Sequence, residues 1–242
     1  MKHRKTVKRM RDITDRRPLR LMCAGDSITD GYWLAGGWRN TLCRLLEENG
    51  LADRVTLTGP NHGGNGYAPL HAGFTAYAVD RIAAEDSVTG ERGGLMQLVP
   101  VLAHFPADAV FLQIGSNDVL SRYDLPRFGE RLAGLVLALL NAMPDCQALY
   151  LANLPDMDAA GSPFIDRQIF PGDAVSRAVA DCNTQIAVLV RRLAAEGRPV
   201  FPANVHSVLT KDDLLDGVHP NAKGYEKLGR FWFEKLASLM RI

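Results

Sequence analysis

Short apolar runs alternate along this chain with longer segments whose apolar residues follow a helical period. Five runs are typical of buried strands, and they lie near residues 19–24, 54–58, 109–114, 147–152 and 199–203. In the segments between them, apolar residues share a helical face at spacings of three and four, as in Leu42, Leu45 and Leu46, in Leu132, Leu135, Val136 and Leu139, and in Val179, Cys182, Ile186, Leu189 and Leu193. This alternation predicts an α/β fold, in which a five-stranded parallel sheet lies between two layers of helices.

The composition is that of one globular domain preceded by a basic arm. The 242 residues are 47% hydrophobic and 23% charged, and no internal repeat divides them. The first 20 residues hold nine Lys and Arg against two Asp, so the net charge of +1 divides into +7 there and −6 over the rest. We predict a flexible arm over residues 1–18 and a single domain over 19–242. Because no aromatic residues are interleaved with these charges, a solvated arm is favoured over a nucleic-acid contact.

Several classes of protein are disfavoured by what the sequence lacks. No apolar run approaches the roughly 20 residues of a membrane helix, so we expect no membrane contact. The N-terminal residues lack the apolar segment of a secretory signal, which favours a cytoplasmic protein; a secreted protein whose signal has been removed is the alternative. The four cysteines have no Cys-x-x-Cys spacing, so we expect reduced thiols and no metal. No cofactor is implied, and the oligomeric state is not encoded in any pattern.

Polar residues with catalytic potential follow two of the predicted strands. Gly25-Asp26-Ser27 ends the first strand, and Gly115-Ser116-Asn117 follows the third. Ligands bind beyond the carboxyl ends of parallel strands, so Ser27 and Asn117 should lie on one rim of the sheet. A serine hydroxyl needs a base before it can act as a nucleophile. The candidate base is in Asp216-Gly-Val-His219, near the other end of the chain. These residue types together are those that acyl transfer requires.

The three segments, in this order, resemble the conserved blocks of the SGNH (GDSL) hydrolases. Within that superfamily, the segments 36–42, 71–77 and 216–225 look most like those of the family-three carbohydrate esterases. The resemblance covers roughly residues 19 to 240 and implies the flavodoxin-like fold of these hydrolases. It also implies a serine ester hydrolase that removes short acyl groups, with acetyl expected, from a carbohydrate or another small ester.

The resemblance assigns a role to each residue of the rim. Ser27 would attack the ester, His219 would carry the proton, and Asp216 would orient the imidazole ring. Asn117 would donate its side-chain amide to the oxyanion, together with the backbone N–H of Ser27. Each residue also has a structural alternative: Ser27 and Asn117 could cap helices, and Asp216-Gly217 could be a plain turn beside an exposed His219.

A third oxyanion donor is less clearly specified. The related families place a glycine there, whereas the matching triplet here is Thr75-Ala76-Tyr77. Ala76 keeps the N–H group, so the donor is expected to survive provided that the backbone there does not need a positive φ angle; Gly73 is the alternative donor.

Substrate contacts are expected from four residues near these segments. They are Asp26, Tyr32, Trp38 and Tyr77. An aromatic ring near the nucleophile could stack on a sugar or hold an acyl chain, and for Trp38 packing in the core is the equal alternative. Tyr77 is expected to close the acyl pocket against long chains. The alternative functions are a lipase-like esterase or thioesterase for longer acyl chains and, from another class, a binding module without catalysis.

Overall fold

A parallel sheet covered on both faces by helices forms the centre of the molecule. The structure is a computed structural model, and it describes residues 17–63, 70–81 and 93–241. Within those ranges the strands are β1 (Leu19–Gly25), β2 (Val55–Thr58), β3 (Asn61–His62), β4 (Leu70–Gly73), β5 (Ala109–Gln113), β6 (Ala148–Ala152) and β7 (Val200–Ala203). The α-helices are α1 (Ser27–Asp30), α2 (Trp38–Glu48), α3 (Leu95–Leu102), α4 (Ser116–Ser121), α5 (Phe128–Ala142), α6 (Ala174–Ala195) and α7 (Ala222–Met240).

The five predicted strands are confirmed, each to within one residue at either end. They pair in parallel in the order β2-β1-β5-β6-β7, which is the strand order of flavodoxin-like folds. The structure adds two short strands inside the glycine-rich stretch 58–77. One of them, β4, is parallel to the end of β1, and the other, β3, is antiparallel to β4. Because β4 continues the edge of β1 that β2 leaves, the residues after β4 reach the same rim as Ser27.

The two faces of the sheet bury separate cores. Side chains alternate between faces along a strand, so Val110 and Leu112 of β5 pack with α3, α5 and α6, while Phe111 packs with α2 and α7. The residues of the predicted helical faces are all buried, and all of them except Leu45 belong to one of these two cores. Each of the four cysteines carries a buried thiol. No helix within the described ranges is both long and apolar enough to span a membrane.

The predicted basic arm lies largely outside the described residues, which begin at Arg17. The guanidinium group of Arg17 donates two hydrogen bonds, of 2.7 and 2.8 Å, to the buried carboxylate of Asp108. Arg20 binds the same carboxylate through its backbone and its side chain. Burial alone would raise the pKa of Asp108, but the hydrogen bonds from Arg17 and Arg20 lower it below its usual range. Asp108 therefore joins the start of β5 to the start of β1.

Helices α2 and α7 approach each other at a glycine. A Cβ atom at Gly229 would lie 2.4 Å from the Cβ of Thr41 and 2.6 Å from the carbonyl oxygen of Trp38. Beside this contact the indole rings of Trp38 and Trp232 have their centroids 5.5 Å apart. The close approach therefore requires glycine at this position.

Replacing this glycine should weaken the helix pair. We expect Gly229→Ala to lower the free energy of unfolding by about 1–3 kcal/mol, because the added methyl group forces α2 and α7 apart. The matched control is Gly134→Ala in α5, where the new Cβ would meet only the terminal methyl of Met96, at 3.3 Å. The control should not lose stability, since alanine is the better helix former. Denaturant unfolding of both variants is the measurement, and equal stabilities would contradict the proposed packing.

Candidate active site

The nucleophile candidate lies where β1 turns into a very short helix. A Cβ atom at Gly25 would sit 2.0 Å from the carbonyl oxygen of Gln113, so only glycine allows β1 to end this close to β5. The side chain of Asp26 then caps α1 by accepting a hydrogen bond of 3.1 Å from the N–H of Ile28. Ser27 is the first residue of the helix and is 5% exposed. Asp26 takes the capping role, which leaves the Ser27 hydroxyl directed to the rim.

A tight turn before α7 presents the base candidate. The Oδ1 atom of Asp216 accepts hydrogen bonds from the backbone N–H groups of Val218 and His219, at 3.0 and 2.8 Å. Gly217 has a φ angle of +83°, and a Cβ atom there would lie 2.1 Å from the carbonyl oxygen of Asp158. The side chain of Asn221 caps the helix that follows by accepting a hydrogen bond of 3.0 Å from the N–H of Gly224. The turn therefore holds Asp216 and His219 on one side of the chain.

Three side chains form a continuous hydrogen-bonded row across the rim. The Oγ atom of Ser27 lies 2.9 Å from Nε2 of His219, and Nδ1 of His219 lies 2.9 Å from Oδ2 of Asp216. An ionised carboxylate only accepts hydrogen bonds, so Nδ1 carries the proton and Nε2 accepts from the serine hydroxyl. This arrangement can remove a proton from Ser27 and hold it on the imidazole. His219 is 5% exposed, which limits competition from water.

Asn117 and Ala76 line the same cavity as Ser27 and His219. The Nδ2 group of Asn117 donates a hydrogen bond of 2.8 Å to the carbonyl oxygen of Tyr77, which joins α4 to the segment after β4. Ala76 has a φ angle of +65°, in the left-handed region that favours glycine. The expected condition for Ala76, a negative φ angle, is therefore wrong. The N–H of Gly73 is occupied by a hydrogen bond of 3.1 Å to Nδ1 of His71, so Ala76 rather than Gly73 faces the cavity.

A buried ion pair stabilises the segment that follows Tyr77. Asp118 is fully buried, and its carboxylate accepts hydrogen bonds from the N–H of Val79 and from the guanidinium group of Arg131, at 3.1 and 2.8 Å. Burial raises the pKa of Asp118 to about 6, and the charge of Arg131 opposes that shift. Arg131 also binds Asp80 and the carbonyl oxygen of Tyr123. Asp118 thus fixes the chain just after Tyr77 without reaching the cavity.

The cavity at this rim has a volume of about 260 Å³. Its walls are formed by Ser27, Tyr32, Thr75, Ala76, Ser116, Asn117, Leu120, Pro163, Phe164, Val218 and His219. A groove of similar size lies between α5 and α6, but serine, histidine and carboxylate groups are not arranged there for proton transfer. Within the described ranges, no group of three or more His, Cys, Asp or Glu side chains is placed to hold a metal ion.

Three of the expected substrate contacts need correction. Trp38 is fully buried and packs against Trp232, because it shares the helical face of Leu42 and Leu45. The ring of Tyr77 packs on Phe74 and against the backbone of Gly93, so it does not form a wall of the cavity. Asp26 is fully buried as a cap, and burial raises the pKa of its carboxyl group to about 7. Only Tyr32, among the four, lines the cavity.

Several residues that line the cavity were not predicted from the sequence. Pro163 and Phe164 come from the irregular stretch 155–172, in which no periodicity directs attention to a particular side chain. Leu120 and Val218 lie next to predicted functional segments and could have been found by extending each segment by a few residues.

Comparison with known proteins gives a consistent assignment. A sequence with 30% identity over 239 residues is the "Multidomain esterase" of Ruminococcus flavefaciens; the match covers 92% of this chain and 29% of that protein. This chain therefore spans less than a third of the relative it matches. A family 3 carbohydrate esterase of Clostridium thermocellum has a similar structure, with a TM-score of 0.69 at 21% identity, covering 93% of this chain and 98% of the other. A carbohydrate esterase family 3 structure from Talaromyces cellulolyticus gives 0.66 at 22% identity, with coverages of 92% and 98%.

The similar structures show the fold of this chain, and a match between its sequence and a family model shows its family. The model of the GDSL-like Lipase/Acylhydrolase family matches residues 23–227, a range that contains Ser27, Asn117 and His219. Since this match covers most of the chain, the protein belongs to the GDSL-like lipase/acylhydrolase family.

Proposed function

We propose that this protein removes short acyl groups, with acetyl as the expected group, from small or carbohydrate esters by way of an acyl-enzyme on Ser27. The observation that carries the proposal is the row of hydrogen bonds from Ser27 through His219 to Asp216, which ends in a cavity that Asn117 and Ala76 also line. A nucleophile, a base, an orienting carboxylate and amide donors are the complete set of groups for acyl transfer.

In the first half of the reaction Ser27 is acylated. Its Oγ atom attacks the carbonyl carbon while Nε2 of His219 takes the hydroxyl proton, and Asp216 stabilises the imidazolium that results. When the bond from the carbonyl carbon to the leaving oxygen breaks, His219 passes the proton to that oxygen and the alcohol departs. In the second half, water attacks the acyl carbon and His219 takes its proton. The bond from the acyl carbon to Oγ of Ser27 then breaks, His219 returns the proton to Oγ, and the carboxylic acid departs.

The negative charge of each tetrahedral intermediate requires donors on the side of the cavity away from His219. We assign this role to the side-chain amide of Asn117 and to the backbone N–H groups of Ser27 and Ala76. Such donors act on charge that exists only near the transition state, and the loss of one typically costs about 2.7–4 kcal/mol of activation free energy.

The substrate class is supported by two kinds of observation. The similar structures from C. thermocellum and T. cellulolyticus are carbohydrate esterases by name. The cavity of about 260 Å³ has to hold part of the leaving group as well as the acyl group, which supports a short acyl group over a long chain.

The acyl preference can be measured with 4-nitrophenyl esters from acetate to octanoate. We expect kcat/KM to be highest for acetate or propionate and to fall by hexanoate, because the apolar side chains of Leu120 and Val218 enclose the cavity. Leu120→Ala should move the optimum towards butyrate. The control, Ser27→Ala, should abolish hydrolysis of every ester while the thermal midpoint stays nearly unchanged. A profile that climbs steadily through octanoate would instead support the lipase-like alternative.

The left-handed conformation of Ala76 leads to a second prediction. An alanine at a φ angle of +65° costs about 1–2 kcal/mol, and glycine removes that cost but loses roughly 0.4–1 kcal/mol through the unfolded state. Ala76→Gly should therefore be as stable as the wild type or slightly more so, with kcat within about twofold because the N–H donor remains. Ala76→Val should lose both stability and kcat. Thermal unfolding and ester hydrolysis measure these effects, and a fully active, fully stable valine variant would refute the assignment.

A further inference from the structure

The imidazole ring of His219 contacts two aromatic side chains, and the three rings form a triangle. Tyr32 stacks on it with the ring centroids 4.3 Å apart and an interplanar angle of 22°. Phe164 meets it edge-on, at 5.3 Å and 80°, and the rings of Tyr32 and Phe164 are themselves 6.1 Å apart. Tyr32 is 48% exposed and Phe164 is 40% exposed, so each ring also presents surface to a ligand.

Large apolar side chains are concentrated around this histidine. Six of them are exposed within the described ranges, and four lie at the cavity or next to the turn that carries His219: Tyr32, Trp33, Phe164 and Leu215. The Nε1 group of Trp33 donates a hydrogen bond of 2.7 Å to the carbonyl oxygen of Pro220, which fixes the indole beside the turn. Exposed apolar surface gathered in this way marks a binding site more often than chance exposure does.

The two rings are anchored to the elements that carry the proposed nucleophile and base. The N–H of Tyr32 donates to the carbonyl oxygen of Ser27, at 3.1 Å. The segment that carries Phe164 is fixed to the histidine turn, because the N–H of Asp158 donates to the carbonyl oxygen of Gly217, at 2.8 Å. The N–H of Phe164 in turn donates to Oγ of Ser162, at 3.3 Å. The aromatic pair is therefore part of the built site.

The chemistry of the proposed reaction decides which half of the ester meets these rings. His219 must return its proton to the leaving oxygen, so that oxygen has to come within about 3 Å of Nε2. The group attached to the oxygen then extends past the side chains that contact the imidazole, which are Tyr32 and Phe164. The side chains that line the cavity carry no formal charge apart from His219 when it is protonated, so a neutral leaving group fits best.

We propose that Tyr32 and Phe164 form the subsite for the alcohol half of the ester and that they select a neutral, ring-shaped leaving group. The shared chemistry is a flat apolar face, which either an aryl ring or the C–H face of a pyranose can present to the two aromatic rings. This inference rests on the proposed function, since it assigns the leaving-group side of the same site.

The test compares three acetates that share one acyl group: ethyl acetate, benzyl acetate and a mono-acetylated methyl xylopyranoside. We expect kcat/KM for at least one ring ester to exceed that for ethyl acetate by about tenfold. Phe164→Ala and Phe164→Leu should lower this ratio severalfold, whereas Phe164→Tyr should keep it. A merely structural role for Phe164 would lower the values for all three esters equally. The matched control is Val188→Ala, which removes an exposed apolar side chain of α6 outside the cavity.

Each outcome has a distinct meaning. A preference for benzyl acetate identifies an aryl leaving group, and a preference for the xylopyranoside identifies a sugar; either one supports the subsite when the Phe164 variants lose it. Hydrolysis of all three acetates at similar rates, unchanged in ratio by Phe164→Ala and Phe164→Leu, would overturn the inference and leave the proposed function intact. Folded wild-type protein that hydrolyses none of the acetates would overturn the proposed function itself.

Discussion

The close parallel approach of β1 to β5 is the constraint on which the rest of the site depends. Gly25 lies opposite Gln113 in the sheet register, and no side chain larger than hydrogen fits between Gly25 and the Gln113 carbonyl oxygen. The two strands therefore end side by side. Ser27 and Asn117 follow those ends after short turns, so the separation between the proposed nucleophile and the proposed oxyanion donor is set by backbone pairing.

The remaining parts of the site are held against this rim by polar contacts with backbone groups. Asn117 binds the carbonyl oxygen of Tyr77, and Asp118 binds the N–H of Val79. Two neighbouring residues of α4 therefore hold the backbone of the segment that follows Ala76. Residues in strained conformations persist when their surroundings over-determine them, and they cluster at functional sites. The positive φ angle of Ala76 is consistent with that rule. Arg131 of α5 forms a buried ion pair with Asp118, so α4 is itself held to α5.

Much of the fold could be predicted because it depends on local pattern. Apolar runs predict the strands. Residues that follow the carboxyl ends of parallel strands lie on one rim of the sheet, which brings Ser27 and Asn117 together. The Asp216 and His219 pair could be predicted because a three-residue spacing suits one tight turn. Trp38 could also have been placed correctly, since it continues the helical face of Leu42. Its proximity to Ser27 in sequence instead favoured a substrate contact.

The walls of the cavity could not be predicted in this way. Phe164 reaches His219 because Asp158 binds the backbone of Gly217, a contact between segments almost 60 residues apart that no local pattern encodes. The orientation of Tyr77 depends likewise on Phe74 and Gly93.

The most direct test of the account is to react the protein with a fluorophosphonate and map the adduct by mass spectrometry. We expect one adduct per chain, on Ser27, formed far more slowly in His219→Ala. An adduct on another residue, or equal labelling rates in the two proteins, would contradict the account.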